Sequence, residues 1–593
     1  MKARAPLNAP RRAILALLGI LAVSVLGPAL AQGFGATGPE LALTTPDLAL
    51  VDVSAGMVGY ALTAGPGNRI ERFEVEVVGL QRETVSGMDL VLVRVSGAVI
   101  EASGGVAAGM SGSPIYLQVG ERTGLIGAIA YVFPNADHTL ALVTPIEAMR
   151  AVARADVSDP FATAPAWPTS VQIAGIGLFT PIATPILMSG ADARAAGLLE
   201  SLFQSSAVSP LPMQATSASV PADADFELRP GAAVAAQLMR GDVELSAVGT
   251  VTAVDANGLL AFGHPFLGLG KTSLPVAPAF VTTIVASSVV PFKLANVGEG
   301  SLATVSQDRP AGLYARLGSP ADLVPVTVTI NYPGGGDTYH FEVVDDERLL
   351  PTLVAIGVLR LTDRTLQRAG GGSAALAWQL EVDGGTSVNV LEQVSDVGDI
   401  AFATALMAAE PFWILATNQF KAPGLSSASL VIDLSDDIDH ASLEEVVVDN
   451  APLVKGGNAL LHIRLQPHRR PASVRTLSVP LPDDLGDVIT IIVRGGDVPL
   501  ESDKLPEDPK EEDGGPRSFG ELLDALREQY QASEIVVEAI TPDGRVRRLL
   551  RLPTPQVVTG SFELDLDLGS DEEVEPLPEG EGARPGTSAG QRG

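Results

Sequence analysis

The chain has 593 residues, of which 46% are hydrophobic and 18% charged, enough apolar material to bury several cores. Its formal net charge of −31 argues against nucleic acid as a partner, because neutralising phosphates needs clusters of Lys and Arg, and equally against docking on an anionic membrane face. With no cysteine, disulfides, thiolate metal sites and cysteine nucleophiles are excluded.

In chain order, Lys2, Arg4, Arg11 and Arg12 precede an apolar run from Ala13 to Leu26, followed by the small-residue pattern Pro28-Ala29-Leu30-Ala31. This pattern reads as a secretory signal peptide over residues 1–31, cut after Ala31, and predicts export to the periplasm, cell envelope or extracellular space. Beyond it, Gly (61) and Pro (44) punctuate short runs of Val, Ile, Leu and Thr, the pattern of a mainly β protein. Residues 32–155 form a first β lobe. Within it, Arg72-Phe73-Glu74-Val75-Glu76-Val77 alternates polar and apolar, as a half-buried strand does, and Leu90–Val95 and Leu125–Val132 read as core strands.

Residues 156–225 contain two Pro/Ala/Ser-rich stretches, Asp156–Thr169 and Ser205–Ala224, and read as a connecting segment. A second β lobe spans 226–345. There Ala247–Val254, the turn Asp255-Ala256-Asn257-Gly258 and Leu259–Phe262 predict a hairpin. Residues 346–425 read as an α+β segment in which Leu349–Leu361 and Ile400–Ala416 are buried helices. Residues 426–500 read as a β-sandwich-like domain, and 501–517 as an acidic linker. In 518–568 a capping box, Ser518-Phe519-Gly520-Glu521, starts a helix before a hairpin at Pro542-Asp543-Gly544. The tail, 569–593, holds six acids, two arginines and no core formers, and is expected to be disordered.

The chemistry concentrates in Ala108-Gly109-Met110-Ser111-Gly112-Ser113-Pro114. A nucleophilic serine needs an exposed hydroxyl on a tight turn, with backbone N–H groups aimed at the developing oxyanion. Here Gly109 allows close approach and Gly112 a sharp exit, so the amides of Gly109 and Ser111 can converge. The order resembles the nucleophile loop of chymotrypsin-like peptidases, with Met110 where those often carry Asp. Such a serine needs a histidine base. His264, fixed between Gly263 and Pro265, and His138, in a polar loop, are the main candidates among six; His468, beside Arg469-Arg470, reads as a surface residue. No metal-ligand spacing, phosphate loop or dinucleotide fingerprint is evident, so no metal and no cofactor is expected.

Together these segments resemble the SpoIVB-type serine peptidase family, sporulation peptidases with a trypsin-like core. The resemblance covers Val51–Met149 and about Phe226–Leu317. It rests on Gly104 to Ile115 and on Gly249-Thr250-Val251-Thr252 running into Gly263-His264. Weaker echoes lie in Val143-Thr144-Pro145-Ile146-Glu147-Ala148-Met149 and in Gln307-Asp308-Arg309 with Gly312-Leu313. The resemblance implies a two-lobed β-barrel core, limited proteolysis of protein or peptide substrates, Ser111 as nucleophile and His264 as base. In this chain the serine lobe comes first, a permuted order. Ser96 stands where the family's acid would align, leaving Asp89, Glu101 and Asp255 as substitutes for the acid partner, and the family's PDZ module is not evident. The expected function is an exported serine endopeptidase acting on other envelope proteins or on itself. The alternative is a catalytically silent peptidase-fold scaffold binding envelope proteins or glycans.

Overall fold

The computed structural model describes residues 45–569 apart from 85–86, 134–136, 156–169, 174–175, 189–192, 204–209, 215–225, 383, 450–452, 503–509, 512–514 and 542–543. The signal peptide, most of both Pro/Ala/Ser-rich stretches, most of the acidic linker, the tip of the last hairpin and nearly all of the tail lie outside the described residues. The protein is mainly β, 52% strand and 16% helix.

The first lobe is built from β1 (Val58–Ala64), β2 (Ile70–Gln81), β3 (Leu90–Ser96), β4 (Pro114–Val119), β5 (Arg122–Val132) and β6 (Leu140–Pro145). They pair in the order β4-β1-β2-β3-β6-β5, and β4 pairs back onto β5, which closes a six-stranded barrel. Closure removes the sheet edges and turns one face of every strand inward. The alternation in β2 follows from this: Phe73, Val75 and Val77 are buried while Arg72, Glu74 and Glu76 face outward. Burying each of those three apolar side chains contributes about 1.5–3 kcal/mol. A short helix, α1 (Ala98–Ser103), and α2 (Ile146–Ala153) flank the barrel. Strands β7 (Val171–Ile173) and β8 (Gly177–Pro181) extend it from β5.

The second lobe begins with β9 (Thr184–Met188), α3 (Ala193–Phe203) and β10 (Pro210–Gln214). It continues with β11 (Ala233–Gly241), β12 (Leu245–Val254), β13 (Gly258–Ala261), β14 (Gly270–Val285), β15 (Phe292–Val297), β16 (Ala303–Arg309) and β17 (Gly312–Leu317). The ring β12-β13-β17-β16-β14-β11 closes through the β11–β12 pair, giving a second six-stranded barrel, with β15 a lateral partner of β14. The expected β12–β13 hairpin is present. Asp255 makes its turn by accepting from the amides of Asn257 (2.9 Å) and Gly258 (3.0 Å). Two six-stranded barrels in one compact unit, Pro46–Gly593, form the trypsin-like core.

Beyond the barrels the sheet does not stop. β18 (Leu323–Tyr332) and β19 (Gly335–Val344) carry it on to β20 (Gly372–Val382), β21 (Thr386–Asp396) and β22 (Ser427–Ser435). The buried helices read from the sequence are α4 (Leu350–Leu366) and α5 (Ile400–Ala416), packed on this extension. No helix among the described residues is long and apolar enough to cross a membrane. Strand β22, assigned from sequence to the sandwich-like segment, instead pairs with β18 and β20, because its buried Ala428, Leu430, Ile432 and Leu434 complete the core beneath that sheet.

The remaining strands do make a sandwich. A four-stranded and a six-stranded sheet share one core, with Ala459, Leu461 and Ile463 facing Ile491, Val493, Ile535 and Val537. Residues 518–568 are therefore not a separate unit, since Glu534–Ile540 pairs with Val488–Gly495 in the second sheet. The helix Phe519–Glu528 is capped as expected, Ser518 Oγ accepting from Glu521 N (3.2 Å). The return bond differs: the Glu521 carboxylate accepts from the Arg517 amide (2.8 Å), one residue before the cap.

Candidate active site

The serine loop leaves α1 and enters β4, and its shape is set by glycines in the left-handed region: Gly109 (φ 88°) and Gly112 (φ 91°). Gly112 is also a point of contact between the barrels. A Cβ there would lie 2.1 Å from Thr250 O and 2.5 Å from Phe262 N, so only glycine fits. The loop is stitched to the second barrel through its carbonyls. Thr250 N donates to Ser111 O (2.9 Å), Thr250 Oγ1 to Gly109 O (2.8 Å) and Thr252 Oγ1 to Gly112 O (2.7 Å). The period of a strand explains this pairing, since residues two apart on β12 present their hydroxyls to the same side.

The loop's amides divide into two sets. Those of Met110, Gly112 and Ser113 donate to Ala107 O (2.9 Å), Ile129 O (2.9 Å) and Met110 O (3.0 Å). Among the described residues, the amides of Gly109 and Ser111 donate to no protein group. These are the two assigned from sequence to an oxyanion hole. Their orientation is fixed from the other end of each peptide. Ala108 O accepts from Lys293 N (3.0 Å) and Met110 O from Ser113 N, so both trans peptides are held by their carbonyls while their N–H groups stay free.

His264 follows a strained turn. Phe262, a bulky residue, has φ 68°, and Gly263 has φ 69°. The turn is anchored in the first barrel by Thr144, whose Oγ1 donates to Gly263 O (2.6 Å), and on its far side by Asp308. The buried Asp308 carboxylate accepts from the amides of Phe266 (2.8 Å), Leu267 (2.8 Å) and Leu269 (3.2 Å). His264 Nδ1 lies 2.7 Å from Pro265 O, an acceptor only, so the Nδ1 tautomer carries the proton and Nε2 is left as a base. Burial pulls the imidazole down to about 4, opposed by the bond to Pro265. It is thus neutral at physiological pH.

Ser111 and His264 are both fully buried. The two loops touch where Gly112 packs against Phe262, but Ser111 Oγ and His264 Nε2 each lack a hydrogen-bond partner and so are not bonded to each other. Ser113 Oγ is unpartnered as well; that residue braces the loop with its backbone, its carbonyl accepting from Ile129 N (3.1 Å).

None of the three candidate acids bonds to His264. Asp89 pairs with Arg82 and accepts from the Glu83 amide, Asp255 shapes its hairpin turn and contacts Arg150 (3.4 Å), and Glu101 is exposed on α1. The orienting acceptor on Nδ1 is a backbone carbonyl instead. His138 supports the serine loop through its own carbonyl, which accepts from Val106 N (3.0 Å), and His468 is half-buried, its amide bonded to His440 O. Thr144, Thr250, Thr252 and Asp308 lay within the motifs that carried the resemblance, but their roles follow from contacts between lobes. Lys293 lay outside those motifs. Among the described residues no group of His, Asp and Glu could hold a metal ion.

Two closed β-barrels, with a serine loop from one touching a histidine turn from the other, give a core consistent with the trypsin-like β-barrel fold. Residues 50–149 match the family model described as SpoIVB peptidase S55, so the serine-bearing barrel is similar to that family of serine peptidases. The resemblance read across Phe226–Leu317 lies outside the matched residues. No curated protein and no solved structure matches the chain.

Proposed function

We propose that the chain is an exported serine endopeptidase carrying out limited or self-directed proteolysis in the cell envelope. The observation that carries this reading is that Ser111 Oγ and His264 Nε2 are buried without a partner on two loops that touch where Gly112 packs against Phe262, while among the described residues the amides of Gly109 and Ser111 donate to no protein group. Buried polar groups are nearly always paired, so orphans on both of these loops are what a site awaiting a substrate carbonyl would leave. In the reaction Ser111 Oγ attacks the scissile carbonyl carbon as its proton passes to His264 Nε2. The carbonyl oxygen, now anionic, accepts from the amides of Gly109 and Ser111. Collapse of the intermediate expels the amine, which takes the proton from His264, and water then hydrolyses the acyl-enzyme by the same route.

Complete burial of Ser111 and the backbone acceptor on Nδ1 favour a second reading, a silent scaffold of the same fold. A fluorophosphonate probe separates the two, because only an activated serine is phosphonylated. Labelling of the wild type that disappears in Ser111→Ala supports the peptidase; a wild type that stays unlabelled under all conditions refutes it. For export, N-terminal sequencing of envelope protein should begin at Gln32, and an intact Met1 terminus in the cytoplasm would refute it.

A further inference from the structure

Lys293, on β15, is wholly buried beside the serine loop, and a Cβ placed on Gly109 would come within 3.3 Å of its Cβ and Cδ. Its Nζ lies 2.7 Å from Thr63 Oγ1 and 3.1 Å from Thr250 Oγ1. No carboxylate among the described residues pairs with it. The strands around it, β1, β9, β12 and β14, carry only two other titratable groups. Tyr60 stacks on Tyr116, and Lys271 sits at the far end of β14 opposite Gln307. Burying an ammonium without an anion is costly, and packing alone would be served better by an apolar side chain.

The direction of the hydrogen bonds supplies a reason. A protonated Nζ can only donate, so the Thr250 hydroxyl must receive it and turn its own proton toward Gly109 O, 2.8 Å away. Gly109 O belongs to the peptide between the two free amides. A neutral amine keeps two N–H donors but gains a lone pair that can accept from Thr250, so the Thr250 proton is no longer committed to Gly109 O. We propose that Lys293 is a positioning residue that, through Thr250, locks the serine loop in its oxyanion-binding form. The proposal rests on the reading of Ser111 as the nucleophile. Burial brings the Lys293 ammonium down to about 7, so the lock is fully set below that pH and weakens above it.

The test uses the full chain and measures the rate constant of fluorophosphonate labelling from about pH 5 to about pH 9, with amide exchange across residues 107–113 as a second readout. Wild-type labelling should fall as pH rises through about 7. Lys293→Met should label about tenfold to a hundredfold more slowly at acidic pH and lose that alkaline limb. Thr250→Val should behave alike, Thr250→Ser should rescue, and the double variant should be no slower than the slower single. Exchange of the loop amides should quicken in Lys293→Met while its melting temperature holds or rises. Labelling and exchange identical to wild type in a folded Lys293→Met would overturn the lock. A wild type that never labels, in which loop exchange still depends on Lys293, would sink the peptidase reading and leave the positioning role standing.

Discussion

Gly112→Ala should be among the most damaging single-methyl changes in this protein. At φ 91° an L-residue is strained by about 1–2 kcal/mol. The added Cβ would also sit 2.1 Å from Thr250 O and 2.5 Å from Phe262 N, both main-chain atoms, so the barrels must separate locally. Three bonds are then at risk: Thr250 N to Ser111 O, Thr252 Oγ1 to Gly112 O and Gly112 N to Ile129 O. At about 1 kcal/mol each, their weakening brings the expected cost to about 3–5 kcal/mol. Gly120→Ala is the internal control, since Gly120 has φ 61° but nothing within 4 Å of the new methyl. It should cost only the backbone strain. Urea denaturation of both variants gives the comparison, and labelling should be lost only in Gly112→Ala. Equal destabilisation by the two substitutions would refute the claim that this glycine is the barrel-to-barrel contact.

Asp308→Ala strips the acceptor from three turn amides and should slow labelling by about a hundredfold by loosening the turn that carries His264, with Asp308→Asn intermediate. Labelling unchanged in a folded Asp308→Ala would show that the turn holds itself. Ser113→Ala should be nearly neutral in stability and keep measurable labelling, because its hydroxyl has no partner; total loss there with labelling kept in Ser111→Ala would identify the wrong serine. His264 resists protonation in the fold, to about 4 against an ordinary value of 6.5, so only the unfolded chain takes up the proton between these values and stability falls as pH drops through that window. The loss is about 3 kcal/mol at most and should be absent in His264→Gln, as read from denaturation midpoints at the two ends of the window.

The sequence made the local features readable. The alternation in β2, the Asp255 turn and the glycine-bearing turns at Ser111 and His264 all depend on near neighbours. What it concealed depends on contacts between distant segments. Lys293, between Phe292 and Leu294, reads as an outward charge on a strand, and only the meeting of β15 with the serine loop and β1 shows it enclosed. Asp308 stood in a recognised echo, yet its role as acceptor for the 266–269 turn appears only when β16 lies beside that turn. Peptidase triads use a carboxylate beside the histidine, whereas a carbonyl from the next residue, Pro265, leaves no signature in composition or spacing. The boundary near residue 426 was misplaced because β22 has the same strand pattern whether it opens a sandwich or completes a neighbouring sheet.

The threonines of β12 grip the serine loop by its carbonyls, and Thr144 of the first barrel grips the histidine turn in return. Each barrel thus holds the other's reactive segment in shape. On the proposed reading of Ser111 as nucleophile, competence and interdomain cohesion become one equilibrium, and inhibition need not involve that serine at all. A molecule that prised the two barrels apart by a hydrogen-bond length, anywhere along their seam, would act as a non-competitive antagonist with no footprint on Ser111.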